Sequence, residues 1–151
     1  MIEVSENIVE EQLLKYGSYA TNTVGVSMKP LFKTKRDVVI IKKPDGELKK
    51  YDVALYPRGD KYVLHRVIKV RDDDYVIRGD NTFSKEYIKK SDVIGVLYAF
   101  NRKGRRHDVS EFGYKFYSRF WNFLYPIRNF IRITRTFFAR IFRKLFPKKK
   151  K

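Results

Sequence analysis

The 151-residue chain has no cysteine, two histidines, one tryptophan and no acidic residue after Glu111. Each scarcity removes a class of function. Without cysteine there is neither a disulfide framework nor a thiolate metal site. Two histidines, in no His-x-x-x-His spacing, give no basis for a zinc site, and neither metal nor cofactor is expected. Long apolar runs are also missing. A membrane-spanning helix needs about 20 mostly apolar residues. The longest uncharged run of the C-terminal part is Phe120–Ile127, and arginine recurs every few residues around it. The opening Met1-Ile2-Glu3-Val4-Ser5-Glu6 is acidic and reads as neither signal peptide nor anchor.

What is present is positive charge, unevenly spread. The chain holds 34 Lys/Arg against 17 Asp/Glu, a net of +17. Residues 112–151 carry 12 of the basic residues, no acid and 13 of the 24 aromatics, whereas residues 1–111 have a net charge of only +5. The distribution predicts a domain over 1–100, a basic linker over 101–111 and a helical tail over 112–151.

Residues 6–15 read as a short helix, with Ser5 as N-cap, Gly17 past its end and Ile8, Val9, Leu13 and Leu14 on its buried side. From 23 to 100 the pattern is that of strands. Candidates are Asp37–Ile41, Glu47–Tyr56, Tyr62–Val70, Tyr75–Arg78 and Val93–Phe100, set off by Pro44-Asp45-Gly46, Pro57-Arg58-Gly59-Asp60 and Arg71-Asp72-Asp73-Asp74. Short strands with Gly/Asp/Pro turns predict a mainly β fold, a small partly closed barrel-like domain. In the tail, apolar residues at 116, 120, 123/124, 127, 130/131, 137/138, 141 and 145 approximate one helical face, making the C-terminal helix amphipathic and basic. Pro126 should kink or divide it and Pro147 end it.

Three segments carry candidate chemistry. Gly25-Val26-Ser27-Met28-Lys29-Pro30 contains a serine, Tyr62-Val63-Leu64-His65-Arg66 a base, and Arg78-Gly79-Asp80-Asn81 a carboxylate. A serine hydroxyl needs a base within hydrogen-bond reach, and the base is often oriented by a third group. Taken singly, Ser27 reads as a loop serine, His65 as a half-buried strand residue and Asp80 as a turn residue. Taken in order, they resemble the boxes of the signal peptidase I-like serine peptidases, a family that includes the self-cleaving repressor peptidases. Gly25-x-Ser27-Met28-x-Pro30 resembles the nucleophile box and Asp37-Val38-Val39 the strand after it. His65-Arg66-Val67-Ile68 resembles the base box, Gly79-Asp80-Asn81 the third box, and Val93-Ile94-Gly95-Val96 the closing strand.

The resemblance spans residues 23–100 and implies a Ser27/His65 pair supported by Asp80. Gly25, Met28 and Pro30 would lie in the substrate and oxyanion region, with Arg78, Asn81 and Glu86 in support. Much of the bacterial family has lysine where His65 stands. Histidine marks the branch found in the endoplasmic reticulum, archaea and some spore-forming bacteria. In that branch a second acidic residue, usually Asp, follows the third box, and Glu86 is the nearby counterpart. Gly25 matches the repressor type and supplies no side-chain oxyanion donor. An unperturbed histidine has a pKa near ~6.5, so His catalysis predicts loss of rate below about pH 6.

The expected function is therefore cleavage of a leader or precursor peptide, by Ser27 attack with His65 as general base. For the tail, the first expectation is a membrane surface. Arg119, Trp121, Arg128, Arg132, Arg135 and Arg143 would meet anionic lipid, at roughly 1 kcal/mol for each basic residue. Nucleic acid is the weaker alternative, and packing on the domain the third. The expected location is cytoplasmic, peripheral at the inner face of the membrane. The rival function is an inactive β-domain that binds anionic lipid or nucleic acid through the tail.

Overall fold

A computed structural model of the chain describes residues 6–145, with side chains from 8 to 142. It is mainly β. One antiparallel sheet of eight strands carries the fold, and the sheet does not close. In chain order the elements are α1 (Glu6–Tyr16), β1 (Ser18–Asn22), β2 (Val38–Lys42), β3 (Val53–Arg58), β4 (Lys61–Val70), β5 (Asp74–Arg78), β6 (Glu86–Lys89), β7 (Gly95–Arg102), β8 (Arg105–Asp108), α2 (Phe112–Phe123) and α3 (Tyr125–Leu145). The strand order is β1-β2-β7-β3-β4-β5-β6, with β8 also on β7.

Helix α1 ends as expected. Gly17 takes φ +68° and its N–H reaches the Leu13 carbonyl at 3.1 Å, a left-handed cap that glycine adopts without a Cβ clash. Its buried side is narrower than predicted. Val9 and Leu13, one turn apart, are buried, while Ile8 and Leu14 are exposed. The expected N-cap Ser5 lies outside the described residues.

The middle of the sheet is covered on both faces. Along β3, Val53 and Leu55 join one core with Val9, Leu13, Met28, Phe32 and Phe100, while Ala54 and Tyr56 join a second with Val63, Val67, Tyr75 and Ile77. Side chains alternate across a strand, so β3 and β4 feed both cores and read as nearly continuous buried runs. Arg66, on β4, is wholly buried.

Two predicted boundaries are corrected. Residues 47–52 are not strand. Lys49 N–H is held by the Asp52 carboxylate at 2.7 Å, and Tyr51 takes φ +83°, so the chain turns before β3 begins. Nor is 101–111 a linker. Lys103 and Gly104 both take positive φ, the mark of a two-residue hairpin, and β8 returns along β7 with His107 opposite Phe100. His107 stacks on the Phe100 ring at 5.2 Å rather than standing in solvent.

The tail is helical and divided. Helix α2 closes at Leu124 and α3 starts just before Pro126, which lacks the N–H that would continue the ladder. Among the described residues no helix is long and apolar enough to cross a membrane. Pro147 lies outside them.

Candidate active site

The Ser27 loop is fixed from both ends. Gly25 takes φ +93° and its carbonyl accepts the Thr34 hydroxyl, while Lys29 N–H closes a turn on the Val26 carbonyl. Met28 drives its side chain into the core beside Leu31 and Phe32. It therefore anchors the loop from below and does not line a substrate surface. Ser27 itself is half-buried. Pro30 points to a different place, a cavity of about 500 Å³ that it lines with Phe100, Tyr114 and Tyr117.

The third box holds the loop from the other side. Asn81 N–H donates to the Ser27 carbonyl at 2.7 Å and Asn81 Nδ2 to the Val26 carbonyl at 3.2 Å. Gly79 is wedged between serine and base. A Cβ at this position would lie 2.7 Å from the Ser27 carbonyl oxygen and 3.0 Å from His65 Nε2. Only glycine leaves the space in which the serine loop and the imidazole both close on this Cα. Among the described residues no hydrogen bond joins the Ser27 hydroxyl to Nε2, and such contacts commonly tighten only when substrate binds.

His65 is buried in the middle of β4. Its Nδ1 lies 3.2 Å from Glu86 Oε1 and 3.1 Å from the Tyr56 hydroxyl. Tyr56 donates to Glu86 Oε2 at 2.8 Å, and Arg58 holds the same carboxylate at 3.0 Å. Both neighbours of Nδ1 are thus free to accept, so the ring proton belongs on Nδ1 and the lone pair on Nε2, toward Gly79 and the serine loop. Burial lowers the imidazole pKa to about 4, against the pull of the Glu86 carboxylate. The ring is therefore neutral at pH 7. Burial and Glu86 together raise the Tyr56 phenol far above its ordinary range, so it stays a donor.

The carboxylate beside the imidazole is that of Glu86, not Asp80. Strand register decides this. Val67 pairs with Ile77 and Ile77 with Glu86, which sets Glu86 on the face shared by residues 65 and 67. Arg66 faces the other way. Asp80 grips Arg66 bidentately at 2.8 and 2.7 Å and accepts the Tyr117 hydroxyl at 3.0 Å. Its carboxylate is committed on the opposite side of the sheet from the imidazole. Arg66 also donates to the Tyr51 carbonyl and to the Tyr114 and Ser118 hydroxyls. Arg78, on β5 and paired with Arg66 on β4, donates to Asn122 Oδ1 at 3.0 Å and lies 3.4 Å from the Tyr125 ring centre.

The sequence reading missed Tyr56 and Arg58. A signal for them existed. The Gly59-Asp60 turn pairs Arg58 with Lys61 and hence Ala54 with His65. Tyr56 is then the diagonal neighbour of His65 on the same face.

Several expected membrane ligands are engaged with the domain. Trp121 Nε1 donates to the Asp80 carbonyl at 2.8 Å, and Arg128 donates to the same oxygen at 2.7 Å while lying over the Trp121 ring. Tyr125 donates to the Phe83 carbonyl at 3.0 Å, and the Arg132 guanidinium sits 4.2 Å from the Phe83 ring centre. Arg119 bonds the Lys115 carbonyl. The side chain of Arg143 lies outside those described. The tail therefore straps the 79–83 segment that carries the third box, which is the packing alternative for its first half.

Among the described residues no three His, Asp or Glu side chains gather in a way that could hold a metal ion. In comparison with known proteins, no family model matches the chain and no curated protein matches it.

Proposed function

We propose that the chain is a serine endopeptidase resembling signal peptidase I in its His-type branch. Ser27 attacks the scissile carbonyl. His65 Nε2 takes the hydroxyl proton and returns it to the leaving amine, and water then hydrolyses the acyl-enzyme through the same base. Glu86, with Tyr56, holds the tautomer and stabilises the imidazolium that forms during attack. The observation that carries the reading is Gly79, on whose Cα face the Ser27 backbone and His65 Nε2 converge from segments 38 residues apart in sequence.

The outward side of α3 supports action at an anionic membrane surface. Phe130, Ile133, Phe137 and Ile141 recur at helical spacing and are exposed, which makes the helix amphipathic in the sense lipid binding requires. The substrate would be a peptide or protein at the inner, cytoplasmic face.

The deciding experiment compares protein N-termini by mass spectrometry in cells carrying the wild-type chain and Ser27→Ala. Termini that vanish with Ser27→Ala, and with His65→Ala, are the expected result. If the two proteomes match with the protein folded and expressed, the peptidase reading falls. The second reading, a non-catalytic module holding anionic lipid or nucleic acid, draws on the same exposed row. Flotation with phosphatidylglycerol vesicles, against single-stranded DNA as competitor, separates its two ligands.

A further inference from the structure

Three arginines of α3 lie on the side opposite its row of Phe130, Ile133, Phe137 and Ile141. Arg128, Arg132 and Arg135 recur at i, i+4 and i+7, a single stripe that borders the 81–83 segment, with Arg128 half-buried and Arg132 and Arg135 exposed. With Trp121, Phe83 and Asn81 they line a groove of about 500 Å³ between α3 and the 81–83 segment. The groove opens beside Asn81, whose backbone and side chain hold Val26 and Ser27.

Among the described residues the guanidiniums of the groove form no ion pair: no carboxylate lies within ion-pair distance of these three, and the nearby Asp80 carboxylate is already held by Arg66. Arg128 lies 3.9 Å from the Trp121 ring centre and Arg132 lies 4.2 Å from that of Phe83. Each presents a stacked, planar fork whose remaining N–H groups have no acidic acceptor. Guanidinium forks of this kind match carboxylates bidentately. Burial also depresses the Arg128 pKa, so a bound anion would restore what desolvation costs.

We propose that this groove binds acidic side chains of the peptide that passes Ser27, so that the protein selects substrates with Asp or Glu close to the scissile bond. This rests on the peptidase reading for its position in the substrate path, but binding can be measured without hydrolysis. The groove's place beside Asn81 and the Ser27 loop favours a peptide over a lipid headgroup, and the exposed row Phe130, Ile133, Phe137 and Ile141 lies on the other side of α3.

The test uses full-length Ser27→Ala protein and two fluorescein-labelled peptides of one sequence, one with three glutamates and one with glutamines in their place. Fluorescence anisotropy should show the glutamate peptide binding about tenfold tighter, the ratio that two exposed charge pairs can supply. Arg132→Gln with Arg135→Gln, both at exposed positions, should abolish the preference. Lys49→Gln with Lys50→Gln removes the same charge elsewhere and should leave it intact.

If both double variants lose the preference equally, the attraction is the general field of a basic protein and the groove is not a site. If Arg132→Gln with Arg135→Gln instead lowers binding to phosphatidylglycerol vesicles and spares peptide selectivity, the stripe meets lipid and the proposal is overturned. Intact selectivity without Ser27-dependent termini in cells would mean that the peptidase reading fails while the groove stands as an acidic-peptide site.

Discussion

Because side chains alternate along a strand, His65 and Arg66 serve different structures although they are neighbours in sequence. His65 turns to Glu86 and Tyr56, and Arg66 to Asp80 and α2. The two carboxylates should therefore fail differently. Asp80→Asn leaves Arg66 buried without a counter-ion and should cost about 3–5 kcal/mol of stability, read as a lowered urea midpoint. Glu86→Gln should leave the fold nearly unchanged and, if the proposed peptidase reading holds, lower peptide cleavage roughly a hundredfold or more. A second expectation concerns pH. The unfolded chain protonates a histidine near ~6.5, whereas buried His65 resists until about 4. The unfolded state thus binds more protons in that window, and stability should fall as pH drops from about 6.5 to 4, by on the order of 3 kcal/mol, and be level above it. Urea unfolding at stepped pH should show this slope in wild type and lose it in His65→Gln. For the same reason the proposed peptidase activity should persist well below pH 6, where an ordinary histidine would already have charged.

At the scale of elements, the 79–83 segment between β5 and β6 is the junction. It separates the serine loop from the base at Gly79, bonds that loop through Asn81, and is itself held by Trp121 and Arg128 on the Asp80 carbonyl and by Tyr125 on the Phe83 carbonyl. The α2–α3 pair is thus joined to the candidate site by direct hydrogen bonds. Trp121→Phe keeps the ring and deletes its N–H. It should cost about 1 kcal/mol, and amide exchange should rise across residues 79–83 before it rises in β4. Unchanged protection there would mean that the helix merely covers the loop without holding it.

On the scale of the whole molecule, the tail is not an appendage that can be removed. Its first half completes the burial of Arg66 through Tyr114, Tyr117 and Ser118, and its second half carries an exposed apolar row. A chain ending at 111 should lose at least about 3 kcal/mol, the scale of a buried charge left short of partners, whereas a chain ending at 136 should keep the wild-type melting temperature. Calorimetry on both separates a strap from a tether. The mainly β character, the hairpin at Arg71–Asp74, the Gly17 stop of α1 and the division of the tail at Pro126 were legible along the chain, because turn chemistry, β-branching and the missing proline N–H act within a few residues. The sequence also pointed to Ser27 and His65 through the order of their boxes. Which acid faces the imidazole was decided only by tertiary structure. Asp80 and Glu86 both follow the base in the chain, and their separation onto opposite faces depends on the register of β4, β5 and β6, a non-local quantity. The placing of Arg128, Arg132 and Arg135 beside residues 81–83 was likewise undecided in the sequence, since one stripe at helical spacing fits a membrane or a domain equally well until packing assigns it a neighbour.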